Sequence, residues 1–339
     1  MMGARISSWG SALPDKTLTN VDLEARIDTT DEWIRERTGI SERRIGGSTN
    51  ELAIEAGAAA LERAGLSGAD IDLVILCTTT PDRLMPAGAA TVQDALGIAG
   101  GAFDLNAACS GFVYGLVVAN GMITAGSARR ILLIGAETMS RVVDWDDRNT
   151  AVLFGDGGGA VVVEASPEPT LLASNLGSDG ATRHLLYIDH GGYLQMEGKE
   201  VFRKAVRACI DTAQKTLAHA GVTADEVDVV IPHQANFRIV DAACRGLGIP
   251  IEKTISILEH TGNTSAASIP LAMAEAADAG RLHDGDLVLM VGFGAGMSWA
   301  SALVRWSAGG APDGSGAGGA PDGSGTGGAP DGSGAGATA

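Results

Sequence analysis

Apolar residues along this chain fall into two alternating rhythms. ELAIEAGAAALERAG (51–65) and VFRKAVRACIDTAQKTLAHAG (201–221) carry apolar positions at helical spacing. Each runs through a glycine into a β-branched apolar stretch. AGLSGADIDLVI (64–75) and AGVTADEVDVVI (220–231) align at a constant offset of 156 and end as buried strands should. Further on, TAGSARRILLIGAE (124–137) and DAGRLHDGDLVLMVGFG (278–294) repeat the helix–glycine–strand order at an offset near 154. The order helix, strand, loop, helix, strand thus occurs twice. It predicts an α/β fold of two duplicated halves, residues 1–165 and 166–306, with parallel strands covered by helices on both faces.

The pattern stops at the C-terminus. GGAPDGSGA, GGAPDGSGT and GGAPDGSGA follow one another from Gly309 to Ala335. No large apolar residue is available to fill a coil, so residues 307–339 are expected to form a disordered tail. The net charge is −17, and the tail supplies Asp313, Asp322 and Asp331 with no base, leaving −17 + 3 = −14 for the remainder. This acidic balance argues against nucleic acid as a partner, and any acidic partner would need a local basic patch. The four cysteines, Cys77, Cys109, Cys209 and Cys244, form no CxxC pair, which disfavours a zinc or iron–sulfur site and suits reduced thiols in the cytoplasm. The stretch MMGARISSWG has no apolar signal region, and no apolar run is long enough to span a membrane.

Candidate chemistry centres on DLNAACSGFVYG (104–115). Cys109 precedes a long apolar run among small residues. It reads either as a small buried hydrophobe or as a nucleophile at a helix N-terminus, where unsatisfied N–H groups would lower its pKa. Subtracting 154 from Asn263, in HTGNTSAAS, gives 109, so the two are expected at equivalent turns of the two halves. Asn263 could equally be a turn former. His233, in IPHQANFR, follows a buried strand directly, at the strand end where α/β folds place their sites. If the halves face each other, Cys109, His233 and Asn263 converge. His184, His190, His219, His260 and His283 read as loop or surface residues.

With these residues in place the chain resembles the ketoacyl-acyl carrier protein synthase III enzymes, the initiating condensing enzymes of type II fatty acid synthesis, which have the thiolase fold. The matching stretches include TTDEWIRERTGISER (29–43), LNAACSGF (105–112), FGDGGGA (154–160), PHQANFRI (232–239), EHTGNTSAASIP (259–270) and GFGAGMSWASALVRW (292–306). The resemblance implies a layered α-β-α-β-α architecture and a cytoplasmic homodimer. It implies acyl-CoA and acyl carrier protein as partners, with no metal or redox cofactor. Cys109 would accept the acyl group, while His233 and Asn263 hold the malonyl thioester oxygen. Backbone N–H groups of Cys109 and Ala295 would form an oxyanion hole. Thr29, Trp33, Arg37 and Arg148 would bind CoA, and Arg203, Arg238 and Arg245, with Lys204 and Arg207 nearby, would dock the carrier protein.

Two positions depart from the family pattern. Met85 stands where many members carry a phenylalanine that walls the partner's acyl pocket, so longer or branched starters come into view. The sequence GAGM (294–297) replaces the usual GGGF, putting Ala295 at the oxyanion position. Competing readings are a thiolase-fold acyltransferase or starter-unit synthase of specialised metabolism, and a Cys-His-Asn hydrolase. The intact His and Asn favour condensation over the first. The absence of hydrolase motifs disfavours the second.

Overall fold

The two aligned segments fold alike in a computed structural model, which describes residues 2–307; the glycine-rich repeat lies outside them. The helix Thr49–Ala64 ends at Gly65 with φ 64°, and the helix Gly198–Ala220 ends at Gly221 with φ 67°, a left-handed turn that glycine adopts without strain. Each turn leads into a one-turn capping box, Ser67 with Asp70 in one case and Thr223 with Glu226 in the other. Each box then delivers the chain into a buried strand.

The strands, in order, are β1 (Gly3–Ala12), a ribbon of β2 (Thr17–Thr19) and β3 (Glu42–Arg44), β4 (Leu73–Cys77), β5 (Gly101–Leu105), β6 (Arg130–Thr138) and β7 (Asp156–Ser166). After them come β8 (Leu171–Ser178), the short pair β9 (Leu186–Tyr187) and β10 (Gln195–Met196), then β11 (Val229–Pro232), β12 (Leu287–Gly294) and β13 (Ser298–Arg305). The first main sheet has the order β5-β4-β6-β7-β1 and the second β11-β12-β13-β8. A parallel bridge from Val230 to Thr254 stands at the outer edge of β11, as β5 does beside β4.

Both sheets are mixed, which corrects the expectation of parallel units throughout. β4 runs parallel to β5 and β6, and β11 runs parallel to β12, but β7, β1, β13 and β8 are antiparallel to their neighbours. The reason is local in the second sheet. Only Ala295–Met297 separate β12 from β13, and so short a link can return the chain only antiparallel.

Two central helices, Gly111–Thr124 and Ser268–Asp278, are buried between the sheets. Phe112, Leu116 and Ile123 of the first and Ile269, Leu271 and Met273 of the second join strand residues of both sheets in one core. The helix Thr49–Ala64 covers the outer face of the first sheet, and Gly198–Ala220 with Phe237–Leu247 covers that of the second. The result is five layers, α-β-α-β-α. No helix among the described residues is long and apolar enough to cross a membrane.

Candidate active site

Each central helix is entered through a tight turn. The first is the 3-10 turn Ala108–Ser110, the second Ser265–Ala267. Ala108 and Ser265 both have positive φ, 49° and 50°, although neither is glycine. In each turn an asparagine two residues earlier braces the strained residue. Asn106 Oδ1 accepts from Ala108 N at 3.1 Å, and Asn263 Oδ1 accepts from Ser265 N at 2.9 Å. Asn263 therefore corresponds to Asn106, and Cys109 corresponds to Ala266. This corrects the pairing of Cys109 with Asn263. The offset near 154 holds at the helix ends, where Gly126 and Gly280 give 280 − 126 = 154. At the helix starts it is 268 − 111 = 157, because the second helix is three residues shorter and the loop after it three longer.

The two turns approach each other across strand ends that leave no room for side chains. A Cβ on Gly135 would lie 2.4 Å from the Ala266 carbonyl oxygen, and one on Gly294 would lie 2.5 Å from Cys109 N. Close approach is what glycine permits here. The consequence is that Cys109, His233 and Asn263, equivalent or not, line one cavity of about 1430 Å³.

His233 follows β11 and is 2% exposed. Its Nδ1 lies 2.7 Å from Ser268 Oγ, and Phe293 packs edge-on at 5.4 Å. Burial pushes the imidazole pKa down to about 3, so the ring is neutral at physiological pH. Gln234 N–H also donates to Ser268 Oγ at 3.3 Å; in the tautomer with the ring proton on Nε2, the Ser268 hydroxyl hydrogen pairs with Nδ1. Asn263 is 5% exposed; its backbone is fixed by bonds to Leu153 and Gly155, and its amide Nδ2 bonds no group among the described residues.

Cys109 opens onto the cavity, but its thiol is deep. Burial pushes its pKa up to about 12, a hydrogen bond to Ser265 and its own N–H pull it down, and the charge of Glu137 adds to the rise. Burial thus outweighs the lowering expected at a helix N-terminus. A helix terminus contributes roughly 1 kcal/mol, less than the cost of desolvating a thiolate.

Comparison with known proteins places this geometry. The family model for 3-oxoacyl-[acyl-carrier-protein] synthase III matches residues 103–180, and that for its C-terminal part matches residues 217–306. The β-ketoacyl-[acyl-carrier-protein] synthase III of Roseiflexus castenholzii is 49% identical over 90% of this chain and 99% of its own length. That of Erythrobacter litoralis is 50% identical over 90% and 100%. The crystal structure of the 3-oxoacyl-[acyl-carrier-protein] synthase III of Aquifex aeolicus superposes with a TM-score of 0.88 at 46% identity, over 90% of this chain and all of that one. This chain belongs to the 3-oxoacyl-[acyl-carrier-protein] synthase III family.

In this member of the family the remaining candidates are spread from the cavity floor to the surface. Ala295 lines the cavity beside Gly294. Trp33, Arg37 and Arg148 line its outer part, with the Arg148 guanidinium 4.8 Å and that of Arg37 5.5 Å from the Trp33 ring. A flat base between Trp33 and Arg148 would need about 7 Å, two van der Waals contacts, so none fits between them at this separation. Thr29 lies just before the Trp33 helix, and its buried Oγ1 has no hydrogen-bond partner among the described residues.

The expected basic patch is more nearly neutral than its sequence suggests. Arg203 pairs with Glu200 at 2.5 Å, Arg245 with Asp241 at 2.6 Å, Lys204 with Asp179 at 3.5 Å and Arg207 with Asp211 at 3.9 Å. Arg238 instead lies over Phe202 at 5.6 Å. Met85 is 82% exposed and is not among the residues lining its own chain's cavity.

Sequence reasoning missed Ser265, Ser268 and Glu137. The two serines look like ordinary turn and helix residues. Glu137 did carry a signal, a lone acid closing the apolar run ILLIGAE.

Proposed function

We propose that the protein carries out the initiating condensation of type II fatty acid synthesis. The Cys109 sulfur attacks the carbonyl of an acyl-CoA, forming an acyl thioester and releasing CoA, which leaves with the thiol proton. Malonyl-acyl carrier protein then enters the same cavity. Carbon dioxide departs, and the electron pair moves onto the thioester oxygen as an enolate. His233 Nε2 and Asn263 Nδ2 donate to that oxygen, stabilising charge where it develops. The α-carbon attacks acyl-Cys109, the N–H groups of Cys109 and Ala295 hold the tetrahedral oxyanion, and Cys109 leaves as the 3-oxoacyl-acyl carrier protein forms. Loss of carbon dioxide supplies the carbanion, so these steps call for no metal or redox cofactor.

The observation that carries this reading is the convergence of a nucleophile and two neutral donors at the floor of one cavity. A neutral His233 is a donor that does not also attract the malonyl carboxylate, which must leave.

Thr29, Trp33, Arg37 and Arg148 bind the CoA nucleotide, with Arg148 folding over the base after it moves off Trp33. Arg203, Arg238 and Arg245 meet the acidic carrier protein, and the first and last exchange their intramolecular acids for it. Met85 reaches the acyl pocket of the other subunit of a homodimer, and its flexible side chain suits starters longer or more branched than acetyl. Residues 1–165 and 166–306 are duplicated halves, and the enzyme works in the cytoplasm.

The test is intact-protein mass spectrometry after incubation with a panel of acyl-CoAs, followed by malonyl-acyl carrier protein. One acyl mass should appear on wild type but not on Cys109→Ala, and clear with release of carbon dioxide. An adduct that forms but neither clears nor triggers carbon dioxide release would instead mark an acyltransferase. No adduct at all would refute the mechanism.

A further inference from the structure

Glu137, near the end of β6, is fully buried, yet it forms no ion pair among the described residues and does not line the cavity. Its carboxylate is held entirely by neutral donors. Thr78 Oγ1, Thr79 N and Thr80 N reach Oε2 at 3.0 Å each, and Thr80 Oγ1 at 2.5 Å. Thr79 Oγ1 reaches Oε1 at 3.0 Å. The last strong donor comes from the other half of the chain: Ser265 Oγ, at 2.8 Å from Oε1. Burying a carboxylate is expensive unless every lone pair is used, and this one is used to grip a turn.

That turn carries Asn263. Ser265 N–H braces Asn263 Oδ1 at 2.9 Å, which turns the amide Nδ2 into the cavity. We propose that Glu137 is the positioning residue of this site: by fixing the Ser265 hydroxyl it holds the turn that aims the Asn263 amide. Glu137 does not line the cavity and acts through the turn it grips.

Glu137→Gln reverses the bond to Ser265. The Thr79 and Thr80 N–H groups require an oxygen on the Oε2 side, so the glutamine NH2 must face Ser265. The serine hydroxyl then loses its acceptor. The two readouts are acylation of Cys109 by acyl-CoA, and carbon dioxide release from malonyl-acyl carrier protein. Acylation should stay near the wild-type rate. Carbon dioxide release should fall about tenfold or more, as expected when a donor is misaimed.

A general loss of structure lowers both rates together, and that result overturns the proposal, as do two unchanged rates. Ser265→Ala, which keeps the backbone N–H, carries the test if the glutamine variant does not fold. It should slow carbon dioxide release by a similar factor, and a wild-type rate there overturns the proposal. The inference rests on the condensing reading. A wild-type enzyme that releases no carbon dioxide fails that reading, whereas variants that match an active wild type fail only this one.

Discussion

The turn before Cys109 and the turn before Ala266 are built alike and do different work. Each has an asparagine bracing a non-glycine residue at positive φ, a single 3-10 turn, and a buried helix beyond it. In the proposed mechanism the reactive group of the first turn is the third residue after the asparagine, Cys109. In the second it is the asparagine itself. Ala266, at the position that carries the thiol in the other turn, is buried and does not line the cavity. On that mechanism one backbone shape supplies a nucleophile from one turn and a neutral donor from the other, according to which residue faces the cavity.

The sharpest way to break this comparison is Asn263→Ala. Its backbone bonds to Leu153 and Gly155 survive, but the Nδ2 donor is lost. Carbon dioxide release should fall about 10²–10³-fold, the usual effect of deleting one donor to a developing oxyanion. Acylation of Cys109 by acyl-CoA should stay near the wild-type rate. A parallel loss of acylation would mean that the second turn shapes the first rather than acting on substrate.

A pH series sharpens it further, since only one of the two turns presents an ionisable group. With its pKa raised to about 12, Cys109 should react with iodoacetamide about tenfold faster for each pH unit between 7 and 9, with no plateau. Carbon dioxide release, which depends on Asn263 and on a His233 that stays neutral down to about pH 3, should be flat between pH 8 and 6. The sign for stability follows from the same shifts. A neutral buried His233 favours the folded state fully above its unfolded pKa of about 6.5, and that contribution is lost as pH falls toward 3. A neutral buried Cys109 favours it below about pH 8.5, and that contribution is lost as pH rises toward 12. An alkylation plateau near pH 8 would show that the thiol is activated before substrate arrives.

Much of this arrangement could be read from residues alone. The aligned AGLSGAD and AGVTADE segments carry a helix stop and a capping box in the same order, so their strands fall at equivalent places in the two sheets. Cys109, His233 and Asn263 were each marked by small or polar residues where an apolar run begins or ends. What failed was arithmetic across an insertion. An offset measured at Gly126 and Gly280 could not be carried back along helices of unequal length to their first turns. Strand direction also escaped, because a three-residue link and a longer one look alike in periodicity. The Cys109 pKa escaped for a different reason. The helix terminus is visible in sequence, but the depth of the thiol is set by packing from both halves. The neutralised basic patch is a similar case, since Arg203 and Arg245 are paired by acids one helical turn away whose side chains a sequence does not orient.

The smallest expected effect is also the most discriminating. Asn106 makes the same brace as Asn263, Oδ1 to the N–H two residues on, and it too borders the cavity. If the brace alone mattered, Asn106→Ala and Asn263→Ala would be equally harmful. The comparison says otherwise. Asn106 supports Ala108, whose neighbour Cys109 is held independently by the start of its helix and by the close approach of β12 at Gly294. Losing the brace should cost about 1 kcal/mol of stability, as for one local side-chain cap, and slow acylation by only about threefold. Thermal unfolding and the rate of adduct formation measure the two effects. An Asn106→Ala enzyme as impaired as Asn263→Ala would make both asparagines scaffold residues, and the oxygen of malonyl thioester would then have His233 as its only side-chain donor.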